Sequence, residues 1–291
     1  MSEHDISRSE SLSRLRAGDG FEADDPSARD GGIGTLGEKT LHAALKNYYE
    51  PDSRLHEIRY KGLVADIMKE GEITEIQTGS FFHLRKKLEV FCAENPVTVV
   101  YPIARTKYIV TVDPDTGESS SRRKSPKKGS PYEIFAELIH IIPFLREPNL
   151  RFRAVMVDLD EYRVAVKGVK GRRRPYFRTE RIPTAFGEEF DCGAQCGWRS
   201  LIPGEIEASD YFTIRDFSKF SGLTYYRAGA AVKVLCCAGA VERITRPYPE
   251  KAVKTGKKAS EAEKSAVKTA SLSRSRNFYR VIQVSAGACP G

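Results

Sequence analysis

Apolar and polar positions are most clearly phased between Leu63 and Thr78, where two short apolar runs flank Glu70-Gly71. An acid-Gly pair placed this way predicts a two-residue hairpin turn. With Glu70 and Gly71 as the loop, Lys69 pairs with Glu72, Met68 with Ile73, Ile67 with Thr74 and Asp66 with Glu75. Two carboxylates then face each other with Cβ atoms roughly 5 Å apart, a destabilising arrangement unless something positive lies between them. Val64, Met68 and Ile73 share that face, so both acids sit within an apolar surface. With Lys61-Gly62 as a second two-residue turn, Glu57 lies opposite Asp66 and extends the acidic row.

The same patterning predicts the neighbouring elements. Thr35 to Tyr49 reads as a helix with Leu41, Ala44, Leu45 and Tyr48 on one stripe, opened by the capping box Thr35-x-x-Glu38 and stopped by Pro51. His56 to Tyr60 is a strand. Ser80 caps a second helix whose stripe is Phe81, Leu84, Leu88 and Phe91, and Pro96 to Ile103 is a further strand. The order is helix, three-stranded meander, helix, strand. Tyr108 to Val112 then opens another hairpin, Pro131 to about Ile142 is helical, and Phe152 to Leu159 is a strand.

Residues 183 to 208 have Pro and Gly but no period, and read as a linker. After it, Ile214 to Phe220 and Tyr225 to Cys237 are two helices around the turn Ser221-Gly222-Leu223-Thr224, with Gly239 ending the second. The second helix buries Ala228, Ala231, Val232 and Leu235. Val241 to Thr245 and Phe278 to Val284 are strands joined by a Lys, Ala and Ser-rich connection, about 246–276. Two helices followed by a hairpin with a long basic tip form a winged helix pattern over residues 209–287.

Composition adds a partner. Net charge is +8, but residues 1–30 hold eight acids and four arginines, so the rest of the chain carries +12. Residues 1–33 read as a disordered tail. Two basic blocks lie in the body. Arg122, Arg123, Lys124, Lys127 and Lys128 form the first; Lys167, Lys170, Arg172, Arg173, Arg174 and Arg178, interleaved with Tyr176 and Phe177, form the second. Basic blocks are commonly just solvated surface. Two of them, one with aromatics able to stack on bases, point to nucleic acid. Tyr225, Tyr226 and Arg227 open the second helix of the C-terminal pattern, with Lys233 further along, where such helices meet DNA.

Other signals are weaker. Gly32 to Gly37 matches G-x-G-x-x-G, but no strand precedes it, so nucleotide binding is not expected. Cys192 and Cys196 form an isolated C-x3-C without a second ligand pair, and six cysteines without framework spacing suit a reducing compartment. No apolar run approaches the roughly 20 residues of a membrane span, and the polar N-terminus carries no secretory signal. A cytoplasmic protein without membrane contact is expected.

The element order, with Asp66 on the second strand and Glu75-x-Gln77 on the third, resembles the core of the PD-(D/E)XK (restriction endonuclease-like) nuclease superfamily over residues 34–103. The stretch Gly34 to His42, with Ala65-Asp-Ile67, Glu75 to Thr78 and Arg123 to Gly129, also looks like an uncharacterised bacterial family. The superfamily resemblance implies an α/β (α+β) fold, a mixed sheet flanked by helices over residues 34–182, and metal-dependent DNA cleavage. It puts Mg²⁺ or Mn²⁺ on Asp66, Glu75 and the carbonyl of Ile76, with Gln77 in place of the usual lysine and positioning water. Glu38 matches the glutamate that these nucleases often carry on the first helix, although the capping box also accounts for it. Lys86 and Lys87 offer a replacement lysine, but read more simply as a solvated helix face. His42 reads as a surface or packing residue, and His83 has no role. The alternatives are a DNA-binding regulator that has lost activity, and a protein-interaction module. A homodimer would suit cleavage of both strands.

Overall fold

In the computed structural model, which describes residues 36–166, 176–244 and 277–282, the first helix α1 (Leu36–Tyr49) buries Leu41, Ala44 and Leu45 as its stripe requires. The meander follows as β1 (His56–Tyr60), β2 (Leu63–Lys69) and β3 (Glu72–Ile76). Both of its turns place two successive residues at positive φ: Lys61 and Gly62 at 49° and 79°, Glu70 and Gly71 at 51° and 86°. That is the signature of the tight turn whose twist matches antiparallel strands. The register is the expected one, with Lys69 opposite Glu72, Met68 opposite Ile73 and Ile67 opposite Thr74.

After β3 the chain turns through a short 3-10 segment (Phe81–Leu84), capped by Ser80, into α2 (Arg85–Phe91). It returns as β4 (Val97–Val112), parallel to β3. β6 (Leu150–Ala165) lies parallel to β4, and β7 (Tyr176–Gly193) antiparallel to β6. The two-residue β5 (Arg123–Lys124) pairs with β4, completing a seven-stranded mixed sheet in the order β1-β2-β3-β4-β6-β7. Leu41 and Leu45 of α1 pack with Ile67, Ile76, Val100, Val155, Val157 and Leu159 on one face. On the other face Phe81 meets Tyr101 at a ring separation of 5.3 Å and stacks on Phe152 at 6.1 Å. This architecture is mixed α+β, a sheet with helices on both faces.

Three boundaries differ from those expected. Tyr108–Val112 is not a separate strand; β4 runs through the polar stretch Arg105-Thr106-Lys107, with a register shift between Ala104 and Thr106 absorbing the irregularity. Residues 183–193 are not linker but the second half of β7, an edge strand, where Pro183 is tolerated beside further register shifts. The segment after Pro131 is mostly 3-10, with only Phe135–Leu138, α3, in α-helical form.

The chain divides after Leu201 into two units. The second contains α4 (Gly204–Glu207), α5 (Ile214–Ser221), α6 (Tyr225–Ala238), β8 (Val241–Ile244) and β9 (Phe278–Val281). Thr213 and Asp216 form a reciprocal capping box on α5, and Gly222 and Gly239 end α5 and α6 in the left-handed conformation. α6 buries Ala228, Ala231, Val232, Val234 and Leu235. β8 and β9 pair antiparallel, and Phe212 adds a bridge to Tyr279, so two helices and a hairpin share one small core. The expected tail (1–33), the cap residue Thr35, part of the second basic block (167–175) and the insert 246–276 lie outside the described residues. No helix among the described residues is long and apolar enough to cross a membrane.

Candidate functional site

The β2–β3 ladder stops one step short of its acidic pair. Ile67 and Thr74 are the last backbone partners, and beyond them side chains take over. The Ile76 N–H donates to Asp66 Oδ2 at 2.8 Å, and the Asp66 N–H donates to Glu75 Oε1 at 3.3 Å. The two carboxylates thus occupy the gap where the strands part, each satisfying the other strand's backbone. On the opposite side of β2, Glu57 adopts φ 53° where it would pair with Asp66, so the β1–β2 ladder is interrupted at the same level. Irregular backbone on both sides of one acidic residue is the kind of local distortion that collects at functional sites.

Both flanking helices contribute a basic group. His42 Nε2 of α1 lies 3.1 Å from Asp66 Oδ2, and Lys87 Nζ of α2 lies 2.7 Å from Glu75 Oε2. Lys46 of α1 reaches Glu57 at 2.7 Å. Glu75 is only 1% exposed, whereas Asp66, His42 and Lys87 are half-buried and open the site to solvent. Burial, then the charge of Asp66, pushes the Glu75 carboxyl up to about 7, against the opposing pull of Lys87. Burial also acts to raise Asp66, but the hydrogen bond and charge of His42, the charge of Lys87 and the Ile76 N–H outweigh it and hold that carboxyl below its ordinary value. The environment therefore separates two facing acids into one readily ionised and one that keeps its proton to near neutrality.

The expected residues do not all converge here. Asp66, Glu75 and the backbone N–H of Ile76 do. Gln77 does not reach either carboxylate: its Nε2 donates to the Ser80 carbonyl at 2.9 Å, pinning the loop after β3. Glu38 falls in the first turn of α1, and its side chain lies outside the described part. His42 reads in sequence as a surface or packing residue and Lys87 as part of a solvated helix face, and the structure corrects both, since each holds one of the two acids. The signal for them was indirect. Each borders an apolar stripe, beside Leu41 and Leu88, and two facing acids require nearby cations. Among the described residues no group of three or more His, Cys, Asp and Glu side chains is arranged to hold a metal. A hard cation here would draw on Asp66 and Glu75, with the rest of its shell from water and substrate, which is how Mg²⁺ commonly binds.

The basic surfaces are partly committed to the protein itself. Arg122 forms a forked pair with Asp160 and stacks over Tyr108, and Lys127 pairs with Glu133 at 3.0 Å. Arg178 turns toward Glu161, a fully buried acid that also receives Lys107 at 3.0 Å and Arg163. Arg123, Lys124 and Lys128 are exposed. Arg172, Arg173 and Arg174 lie outside the described residues. In the second unit Tyr225, Tyr226, Arg227 and Lys233 are all exposed on α6, Tyr226 at 87%.

A protein of Treponema pallidum (strain Nichols), described as an uncharacterized protein, is 34% identical over 143 residues, covering 49% of this chain and 56% of the relative. The chain thus spans just over half the length of that relative. No solved structure matches. The family model described as "Domain of unknown function (DUF8091)" matches residues 39–192, more than half of the chain, and takes in His42, Asp66, Glu75 and Lys87 as well as nearly all of the seven-stranded sheet. The chain belongs to that family.

Proposed function

We propose that the first unit is a PD-(D/E)XK-like, metal-dependent nuclease acting on DNA, and that the second is a winged helix module that binds it. The observation that carries this reading is the opened hairpin. Two carboxylates are held face to face where a sheet ladder ends, with one basic group on each. Burying facing acids at the cost of a raised Glu75 makes structural sense where a cation is to be bound.

In this reading Asp66 and Glu75 hold Mg²⁺ or Mn²⁺, which when bound supplies phosphate polarisation and a more acidic water. His42 fixes the orientation of Asp66 through its hydrogen bond. Lys87 takes the place of the lysine that Gln77 does not provide. It is drawn toward Glu75 in the absence of substrate and is free to meet a phosphate oxygen once that carboxylate is otherwise neutralised. The helix-turn-helix and hairpin of the second unit, with exposed Tyr225, Tyr226, Arg227 and Lys233, support DNA as the partner.

The charge balance of the site favours one competing reading. In the row His42, Asp66, Glu75, Lys87 each acid has its own basic partner, so the group is satisfied without a metal, as a catalytically inactive DNA-binding regulator would require. Plasmid and single-stranded DNA incubated with Mg²⁺, Mn²⁺ or EDTA separate the two. Metal-dependent cleavage that disappears in Asp66→Ala/Glu75→Ala supports the nuclease. DNA binding that persists in EDTA without cleavage under either metal supports the regulator, and cleavage surviving the double substitution overturns the site.

A further inference from the structure

A cavity of about 400 Å³ opens on the α1 face of the sheet and contains neither Asp66 nor Glu75. Its floor is a transverse row set by strand register: Ile67 of β2, Thr74 of β3, Thr98 of β4 and Arg151 of β6. α1 ends at Tyr49; it packs over Ile67, Ile76 and Val100 and leaves Thr74, Thr98 and Arg151 of this row only partly buried. The walls are built of charged groups, half of them already paired. Glu50 holds Lys69 at 2.9 Å, Arg153 is forked onto Asp191 and reaches Glu189, and Glu70 lies beside Lys69.

Three lining charges have no ion pair among the described residues: Arg151, Glu70 and Glu72. Arg151 donates from Nε and Nη2 to the Thr98 hydroxyl, at 3.3 and 3.1 Å, and has no ion pair among the described residues. A guanidinium has five donors, so three are left, and a Thr98 hydroxyl that accepts from Arg151 can itself donate. The Thr74 hydroxyl stands next in the row. At the hairpin end, Glu72 is exposed and likewise has no ion pair among the described residues. Arg151 and Glu72 lie two strands and two residues apart, roughly 12 Å along the backbone. The Arg151 side chain, lying toward Thr98, shortens that gap to about the span of an extended basic amino acid.

We infer that this cavity binds a small zwitterion. The ligand's carboxylate is received by Arg151 and the Thr98 and Thr74 hydroxyls, and its cationic group by Glu72. A basic amino acid, or a dipeptide with a basic residue, has the matching chemistry. A simple anion would leave Glu72 uncompensated and repelling it, and a simple cation would leave Arg151 without an acceptor. The inference is independent of the nuclease reading, since Arg151, Thr98, Thr74 and Glu72 take no part in that site.

Isothermal titration of the full chain with L-arginine, agmatine (which lacks the carboxylate) and inorganic phosphate tests it. L-Arginine should bind at least about tenfold more tightly than either comparator, and Arg151→Met and Glu72→Gln should each weaken it about tenfold or more, the loss of one charge-assisted contact. Glu72 is exposed, so Glu72→Gln keeps the test open should Arg151→Met fail to fold. Absence of L-arginine binding at millimolar concentration, equal binding of agmatine or phosphate, or undiminished binding by Glu72→Gln would overturn the proposal.

Discussion

Lys87 Nζ stands 2.7 Å from Glu75 Oε2, so the most buried acid of the site is held by a lysine from a helix rather than by a residue of its own strand. Removing the lysine leaves a buried carboxylate unsatisfied. Lys87→Met should cost about 1–3 kcal/mol at pH 8, read as a shift in the urea midpoint, the lower part of that range reflecting the partly exposed lysine. The deficit should shrink toward pH 5, where Glu75 is protonated in both proteins. An equal deficit at both pH values would mean that the lysine acts through packing alone.

Glu75 itself sets a pH limb. Its folded value, about 7, lies above the ordinary 4.5, so its contribution to stability is complete below about pH 4.5 and is lost as pH rises through 7. Asp66, shifted downward, acts only at lower pH, below its ordinary value of 3.8. Glu75→Gln should therefore flatten the stability profile between pH 4.5 and 8 in chemical denaturation. Retention of the wild-type slope in that window would show that another group causes it.

Cation binding at this pair must displace the proton that Glu75 keeps. Mg²⁺ or Mn²⁺ affinity should rise with pH up to about 7 and level off above it. Calorimetric titration in buffers of different ionisation enthalpy should detect proton release at pH 6.5 and much less at pH 8.5. Pre-ionisation is the alternative, and it predicts no buffer dependence at either pH.

On α6, Tyr226→Ala and Arg227→Ala change exposed side chains and should leave thermal stability within about 0.5 kcal/mol. DNA affinity should fall by about 1–3 kcal/mol if Tyr226 stacks on a base. Losing Arg227 should lower the salt dependence of binding by about one phosphate contact. Fluorescence anisotropy across a salt series measures both. Unchanged affinity in the double variant would remove α6 from the interface.

The hairpin was legible because its information is local. Turn residues at Glu70-Gly71, together with strict alternation, define which acids oppose each other, and the element order around them follows from helical stripes and caps. What the sequence could not display was the behaviour of the ladder once two like charges met within it. The strands part, and the carboxylates turn to the backbone of the opposite strand. His42 and Lys87 are ambiguous in sequence for a related reason: the role of a helix position beside an apolar stripe is undefined until the register of helix on sheet is known. Gln77 stands at the position where the resemblance puts a lysine, yet it lies just past the end of β3, where strand alternation no longer directs its side chain. In the sequence β4 looks broken and β6 cut short because charged residues such as Arg105 and Glu161 interrupt their apolar runs, while β7, basic at its start and rich in Pro and Gly beyond, shows no strand period. Those charges are neutralised between strands, Arg105 by Asp158 and Glu161 by Lys107.

The two positive-φ residues at the tip of the β2–β3 hairpin also act as a phase lock for everything below them. Side chains alternate with a period of two, so one residue inserted at Glu70-Gly71 would shift β3 by a single step against β2. Glu75 would leave its place opposite Asp66, and Thr74 would leave the row it shares with Ile67. Length variation is ordinarily cheapest at an exposed turn, yet here a single insertion or deletion would dismantle both faces of the hairpin at once. Natural variation in this chain should accept substitutions at the tip far more readily than any change in its length.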